Sequence, residues 1–340
     1  RSMVHDNPPI PIAFVTTELR PGGAERNLVA LATGLDRDQF SPRIYSLAPA
    51  PPAGQNQLVK LLERAEVNVS YLGVRKPQQF FRAVRRLRRL WVEHPPGLIQ
   101  SFLFHANVVS AVAARGLHVP VVAGLRVAQR ELVRGFVERR LSQNIDAFVC
   151  VSQGVATVAH QHGGLPKEKL HVIPNGVDLS RFADVTPADL SQFGIAASQK
   201  IVLCIGRLHH QKGVDVLLDA AKTFLPVQPQ VTLLIVGDGP ERANLERKAA
   251  GLSARQQVTF APWQPDPLPL IAAADVVAIP SRWEGMSNVL LEAAALARPV
   301  AVTDVEGVRE LLSAAAQGWI APVEDSAALA RIVTSLLEEQ

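Results

Sequence analysis

The chain predicts an α/β protein made of two Rossmann-like, doubly wound domains facing one another across a cleft, and three observations carry that expectation. Its 340 residues suffice for two domains, each with its own core. Short apolar segments of strand length alternate with amphipathic helical segments, the mark of a mostly parallel sheet covered on both faces. That alternation lapses between Pro174 and Gln199 and then restarts, so domains of residues 1–180 and 181–340 are expected.

In the first series PIPIAFVTT reads as a buried strand, the loop ELRPGGAE turns the chain, and RNLVALATGL follows as a helix. RIYSLA, VNVSYL, GLIQSFLF, VPVVAGLR and DAFVCVS read as further strands. They are separated by the helices LVKLLERA, FFRAVRRLRRLWVEH, NVVSAVAARGL and ELVRGFVERRLSQN. The second series has the strands KIVLCIGRL, VTLLIVGDG, QVTFAP, DVVAIPS, PVAVTD and GWIAPV, with helices such as DVLLDAAKTFL and NVLLEAAALA between them. In such sheets ligands bind beyond the carboxyl ends of the strands, where the strand order reverses.

Composition removes several classes of function. Hydrophobic residues at 48% and charged residues at 19% exclude a disordered chain or a coiled coil. Cys150 and Cys204 lie inside apolar runs and read as reduced core thiols, too few for a cysteine metal site. Arg1 and Ser2 ahead of Met3 read as a cloning remnant, and the residues after Met3 lack the apolar stretch of a signal peptide. The uncharged run Leu98–Ala114 is interrupted by Gln100, His105 and Asn107 and is too polar to span a bilayer, so a cytoplasmic protein is expected. Residues 1–181 hold 23 Lys and Arg against 13 Asp and Glu, a balance of +10, and the remainder holds 12 against 18, or −6. Halves of opposite charge suit different partners. Nucleic acid is not among those expected, because aromatics are 5% of the chain and no stacking motif occurs.

Two constellations point to chemistry. In PSRWEGMSNVLLEAAALARPV a strand ends near Ser281 and a helix begins near Ser287 or Asn288, so free N–H groups and a positive helix end are presented to an anion. Glu284 and Glu292 flank that site, and carboxylates there suit neutral hydroxyls of a ribose or sugar. The alternative is that Glu284 caps the helix and Glu292 is solvated. In GRLHHQKGVDVLLDA, Arg207 and Lys212 stand at a strand's carboxyl end, a cation pair fitted to a diphosphate or else two surface charges. His209 and His210 read as loop residues without metal-ligand spacing. GDGP, Gly237 to Pro240, reads as a tight strand-to-helix turn. Gly22 and Gly23 either let backbone approach a phosphate or form an ordinary turn. No GxxxxGK[ST] segment supports P-loop phosphotransfer.

Taken in order, GGAER, VSQGV, IPNGVD, GRLHHQKG, GDGP and the Glu284/Glu292 pair resemble the retaining GT-B glycosyltransferases of family GT4, over nearly the whole chain. The resemblance implies a GT-B fold and a hexosyltransferase that retains anomeric configuration without a metal or other cofactor. Its donor would be a nucleotide diphosphate sugar, uridine or guanosine ahead of adenosine, held mainly by the second domain. Its acceptor, a glycan, a lipid-linked sugar or a small molecule of cell-envelope polysaccharide or glycolipid synthesis, would be held mainly by the first.

Carried onto this chain, the resemblance assigns Arg207 and Lys212 to the diphosphate and Glu292 to the ribose. Glu284 with the backbone of Gly285, Met286 and Ser287 would hold the donor sugar, and the N–H groups of Asn288 and Val289 would meet the phosphates. Gly22 and Gly23 would lie against the diphosphate from the first domain, and the base would pack near Pro262 to Asp266. His105 would be the first domain's catalytic histidine or else a structural one. Many relatives carry a second histidine where this chain has Phe102. Arg126 and Arg130 would face the acceptor. The helix QQFFRAVRRLRRLWVEH sets Phe80, Val84, Leu87 and Trp91 among Arg82, Arg85, Arg86, Arg88 and Arg89, which suits a peripheral contact with an anionic membrane or a packed helix with a solvated outer face. An epimerase of the same fold and an inactive sugar-nucleotide-binding protein remain as alternatives.

Overall fold

The structure is a computed structural model that describes residues 8–128, 131–312 and 318–339. The chain divides into two compact units, Arg1–Pro174 and Asn175–Gln340. The first unit carries β1 (Ile10–Thr16), β2 (Phe40–Ser46), β3 (Asn68–Tyr71), β4 (Leu98–Phe102), β5 (Val121–Leu125), β6 (Ala147–Cys150) and β7 (Leu170–Val172). All pair in parallel in the order β3-β2-β1-β4-β5-β6-β7. Its helices are α1 (Gly23–Gly34), α2 (Gln57–Arg64), α3 (Phe80–Glu93), α4 (Phe104–Ala113), α5 (Leu132–Leu141) and α6 (Gln153–Gln161).

The second unit repeats the plan with β8 (Lys200–Ile205), β9 (Val231–Val236), β10 (Val258–Ala261), β11 (Val276–Ile279), β12 (Val300–Thr303) and β13 (Ile320–Ala321), in the parallel order β10-β9-β8-β11-β12-β13. Between and after them run α7 (Val214–Phe224), α8 (Arg242–Ala250), α9 (Leu268–Ala272), α10 (Asn288–Ala295), α11 (Val308–Leu311) and α12 (Ser326–Glu338). In both sheets the order reverses beside the first strand, between β1 and β4 and between β8 and β11.

The alternation of side chains along each strand explains why these segments are apolar throughout. Val202 and Cys204 of β8 pack with α7 and α12 on one face, while Ile201 and Leu203 pack with α9 and α10 on the other. Every residue of β9 is buried. Each such side chain contributes about 1.5–3 kcal/mol by leaving water, so a charged residue at any of these positions would break the layer.

The structure corrects several expected boundaries. β4 stops at Phe102 rather than running through SFLF, because Leu103 takes a left-handed backbone (φ 72) and α4 starts at once, earlier than the helix expected from Asn107. Two elements were not expected at all. β7 is three half-exposed or exposed residues with no buried pattern to betray it, and α6 begins where Ser152 accepts a hydrogen bond from the Val155 N–H at 3.1 Å. The segment expected as a linker contains two 3-10 turns, capped by Asp178 and Asp189.

Candidate functional site

In the second unit β8 and β11 lie side by side, so the loops that follow them are neighbours. The loop after β8 carries Arg207 and Lys212, and the loop after β11 carries Glu284. Gly213 has φ +59, and a Cβ there would run into the Pro280 carbonyl oxygen, so glycine is what lets the two loops touch. Gly237 of GDGP (φ +146) lies against the Gly206 carbonyl in the same way, and the turn leads into α8 as expected.

Lys212 Nζ donates to Glu284 Oε1, and Ser281 Oγ donates to the same oxygen at 2.9 Å. Glu284 is buried and Lys212 half-buried. Arg207 is exposed and makes no side-chain hydrogen bond or ion pair among the described residues. The cap of α10 is Ser287, whose Oγ accepts from the Leu290 N–H at 3.4 Å, and both Glu284 and Glu292 are buried. The reading of Glu284 as a cap and Glu292 as solvated therefore falls. Gly285, Met286 and Ser287 form the buried turn before the helix, and Asn288 and Val289 open its first turn at the positive end of the helix dipole.

Sequence reasoning gave no role to Asn175, which braces this turn. Its N–H lies 3.3 Å from Met286 Sδ, and its Nδ2 donates to the Met286 carbonyl at 3.5 Å and to Asn288 Oδ1 at 3.2 Å. Pro262 and Asp266 sit on the exposed loop after β10, two strands along the sheet from β8. There Asp266 accepts from the Leu268 N–H at 3.2 Å and lies 3.9 Å from Arg181. Cations and a helix N-terminus suit an anion, and buried carboxylates beside them suit hydroxyls. Among the described residues no group of three or more His, Cys, Asp or Glu is placed to hold a metal ion.

The first unit has a cavity of about 230 Å³ at the carboxyl ends of β1, β4 and β5, closed by α5 and α6, with Glu25, His105, Arg126, Arg134 and Glu138 among its walls. α4 is fixed there by a buried chain in which Ser101 Oγ bonds Asn107 Oδ1 at 2.8 Å and Asn107 Nδ2 bonds the Gly124 carbonyl at 3.1 Å. His105 stands in the first turn of α4, and partial burial together with the Arg134 charge pulls its pKa below the ordinary value. The Arg126 guanidinium lies 4.9 Å over the Phe102 ring, and Arg134 lies 5.1 Å over Phe104. Burial pulls Arg126 down to about 10, against the opposing pull of Glu25, and pushes Glu138 up to about 7, against that of Arg134.

Gly22 caps α1 ahead of Gly23, but a Cβ at position 22 would meet the Glu25 carboxylate. The first-turn glutamate of this helix therefore lies beside Gly22. Arg130 lies outside the described residues. Glu25, Arg134 and Glu138 were missed, although Arg134 and Glu138 stand four apart on one helix, a spacing that places both on one face.

On α3 the buried residues are Ala83, Leu87 and Trp91, with Phe80 and Val84 half-buried. Phe81, Arg82, Arg85, Arg86 and Arg89 are exposed. Arg86 donates to the Leu72 carbonyl at 3.1 Å and Arg88 to the Ala113 carbonyl at 2.9 Å, so part of the basic face is tied to its own unit. Among the described residues no helix is long and apolar enough to cross a membrane.

Comparison with known proteins matches residues 21–181 to the family described as Glycosyltransferase Family 4 and residues 199–339 to Glycosyl transferases group 1. The chain is 31% identical over 197 residues to the lipopolysaccharide core biosynthesis glycosyltransferase LpsE of Rhizobium meliloti, covering 58% of this chain and 55% of that protein. It is 30% identical over 227 residues to a D-inositol 3-phosphate glycosyltransferase of Nocardia farcinica, covering 63% and 49%. The chain thus spans about half the length of these two relatives. Among solved structures it is similar to Anabaena HepE in complex with UDP-glucose, at 25% identity and a TM-score of 0.84, over 97% of this chain and 90% of that one.

Proposed function

Because the chain belongs to the group 1, family 4 glycosyltransferases of GT-B fold, we propose that it moves a hexose from a uridine or guanosine diphosphate sugar to a glycan, lipid-linked or small-molecule acceptor of cell-envelope synthesis, with retention and without a metal. The observation that carries this reading is the meeting of Lys212, Ser281 and Glu284 at the ends of β8 and β11. Breaking the anomeric C–O bond builds negative charge on the departing diphosphate and positive charge on the ring. Lys212, held by Glu284, and the exposed Arg207 are the cations for the first, with the N–H groups of Asn288 and Val289 after them in the chain. Glu284 and the turn Gly285–Ser287 hold sugar hydroxyls, Glu292 holds the ribose, and the base packs near Pro262 to Asp266.

On this reading the first unit's cavity takes the acceptor, with Arg126 and Arg134 as donors and His105 at its rim. With no dedicated nucleophile assigned, the acceptor's proton passes to the departing phosphate oxygen as the new bond forms on the same face. The exposed part of the α3 basic face meets anionic lipid at the inner surface of the cytoplasmic membrane.

Calorimetry with UDP and GDP, followed by transfer assays with their sugars, tests the proposal. Binding of one nucleotide and an α-linked product from an α-linked donor are expected, with activity unaltered by EDTA. No uptake of either nucleotide would overturn it, and sugar inversion without acceptor would turn the reading to an epimerase. Sedimentation with anionic liposomes at low salt tests the membrane contact, and its absence removes that part.

A further inference from the structure

We propose that Arg282 is a positioning residue that sets Lys212 against Glu284. Its guanidinium donates to both oxygens of Asp215 at 2.8 Å, to the His210 carbonyl at 2.8 Å and to Glu324 Oε2 at 3.1 Å, and its Nε donates to Glu324 Oε1. These bonds use all five of its N–H groups. Its backbone N–H bonds the Gln211 carbonyl at 2.7 Å, and Gln211 Nε2 returns a bond to the Trp283 carbonyl at 2.9 Å. The residues so gripped, His210 and Gln211, immediately precede Lys212. The residue that grips them stands two before Glu284.

Three features separate this arrangement from a surface ion pair. The Arg282 side chain is only 9% exposed, so it braces the loops from beneath. Glu324 keeps a left-handed backbone (φ 67), unusual for a residue with a Cβ, while delivering its carboxylate to Arg282. Asp215 lies in the first turn of α7, which follows the Lys212 loop directly, so the chain is held on both sides of Lys212. The hydrogen bonds from Arg282 also hold the Asp215 carboxyl below its ordinary range, so the clamp stays ionised at neutral pH.

Lysine has three donors on a flexible stem and cannot reproduce the fork. A displacement of about 1 Å in a charge that acts on a transition state can cost two orders of magnitude in rate. The inference rests on the donor reading for its kinetic consequence, whereas its structural part stands alone.

The test uses Arg282→Lys, Lys212→Ala and the double variant in the full chain. Arg282→Lys should stay folded by circular dichroism and lower kcat about 10-fold while donor KM moves less than about threefold. In the Lys212→Ala background the same change should cost less than about twofold, because its effect passes through Lys212. Losses that add in the double variant, or a normal kcat in Arg282→Lys, would overturn the proposal. Amide hydrogen exchange of residues 206–213 should quicken about 10-fold in Arg282→Lys whether or not any sugar nucleotide binds. Unchanged exchange there would overturn the positioning role, whereas failure of the wild type to bind a nucleotide would overturn only the donor reading.

Discussion

The two sheets share the strand order of a doubly wound fold, yet the carboxyl ends of their strands are furnished in opposite ways. In the second unit the loops after β8 and β11 are bound backbone to backbone and clamped by Arg282, and Lys212 and Glu284 meet in an ion pair. In the first unit the charges line a cavity, lie over aromatic rings and are drawn toward neutrality by burial, Arg126 to about 10 and Glu138 to about 7. Topology decides where such loops gather, and the side chains decide whether their charges are paired in a clamp or spread around a cavity. On the proposed function the first takes a diphosphate, whose charge grows during reaction, and the second an acceptor that must be admitted and oriented.

Replacing Lys212 with alanine strikes the clamp hardest. Turnover should fall about 100-fold or more, measured by donor consumption at saturating substrate, because a fixed cation at the leaving group is lost. A near-normal rate would erase the contrast between the units. Next in size is Gly213→Ala, whose Cβ collides with the Pro280 carbonyl and cannot take φ +59 without strain. It should destabilise the protein by about 1–3 kcal/mol in urea unfolding. Arg126→Ala should raise acceptor KM about 10-fold and leave nucleotide affinity by calorimetry unchanged. An equal loss of nucleotide binding would show that the division of labour is wrong.

The smallest effect concerns pH. Glu138 in the folded protein holds its proton up to about pH 7, whereas its ordinary value is 4.5. Between those two values the folded state keeps a proton that the unfolded chain has lost, so stability falls as pH rises through that window and levels off above it. Glu138→Gln should flatten the change in Tm between about pH 5 and pH 7.5, and an unaltered slope would assign the dependence to another group.

Much of the architecture is legible in order along the chain, since strands buried on both faces must be apolar throughout and helices must show one apolar stripe. β7 escaped because half-exposed residues carry no such pattern, and α4 began early because the left-handed turn at Leu103 leaves no mark in composition. The site residues split the same way. Arg207, Lys212 and Glu284 stand out by their place between a strand's end and a helix's start, and Glu292 by its spacing from Glu284. Arg282 does not, since Asp215 is 67 residues away and Glu324 is 42.

From the sequence alone come two α/β domains in tandem, the division of charge between them, the family and the loops that hold its motifs. The domains follow from periodicity, the charge division from composition and the family from the resemblance of its motifs, all of them local and written residue by residue. Tertiary structure alone decided that Arg126, Arg134 and Glu138 share one cavity and that Arg282 grips the Lys212 loop. Those contacts arise only when strand order brings distant loops to the same end of a sheet, and burial there resets the charges that the sequence merely supplies.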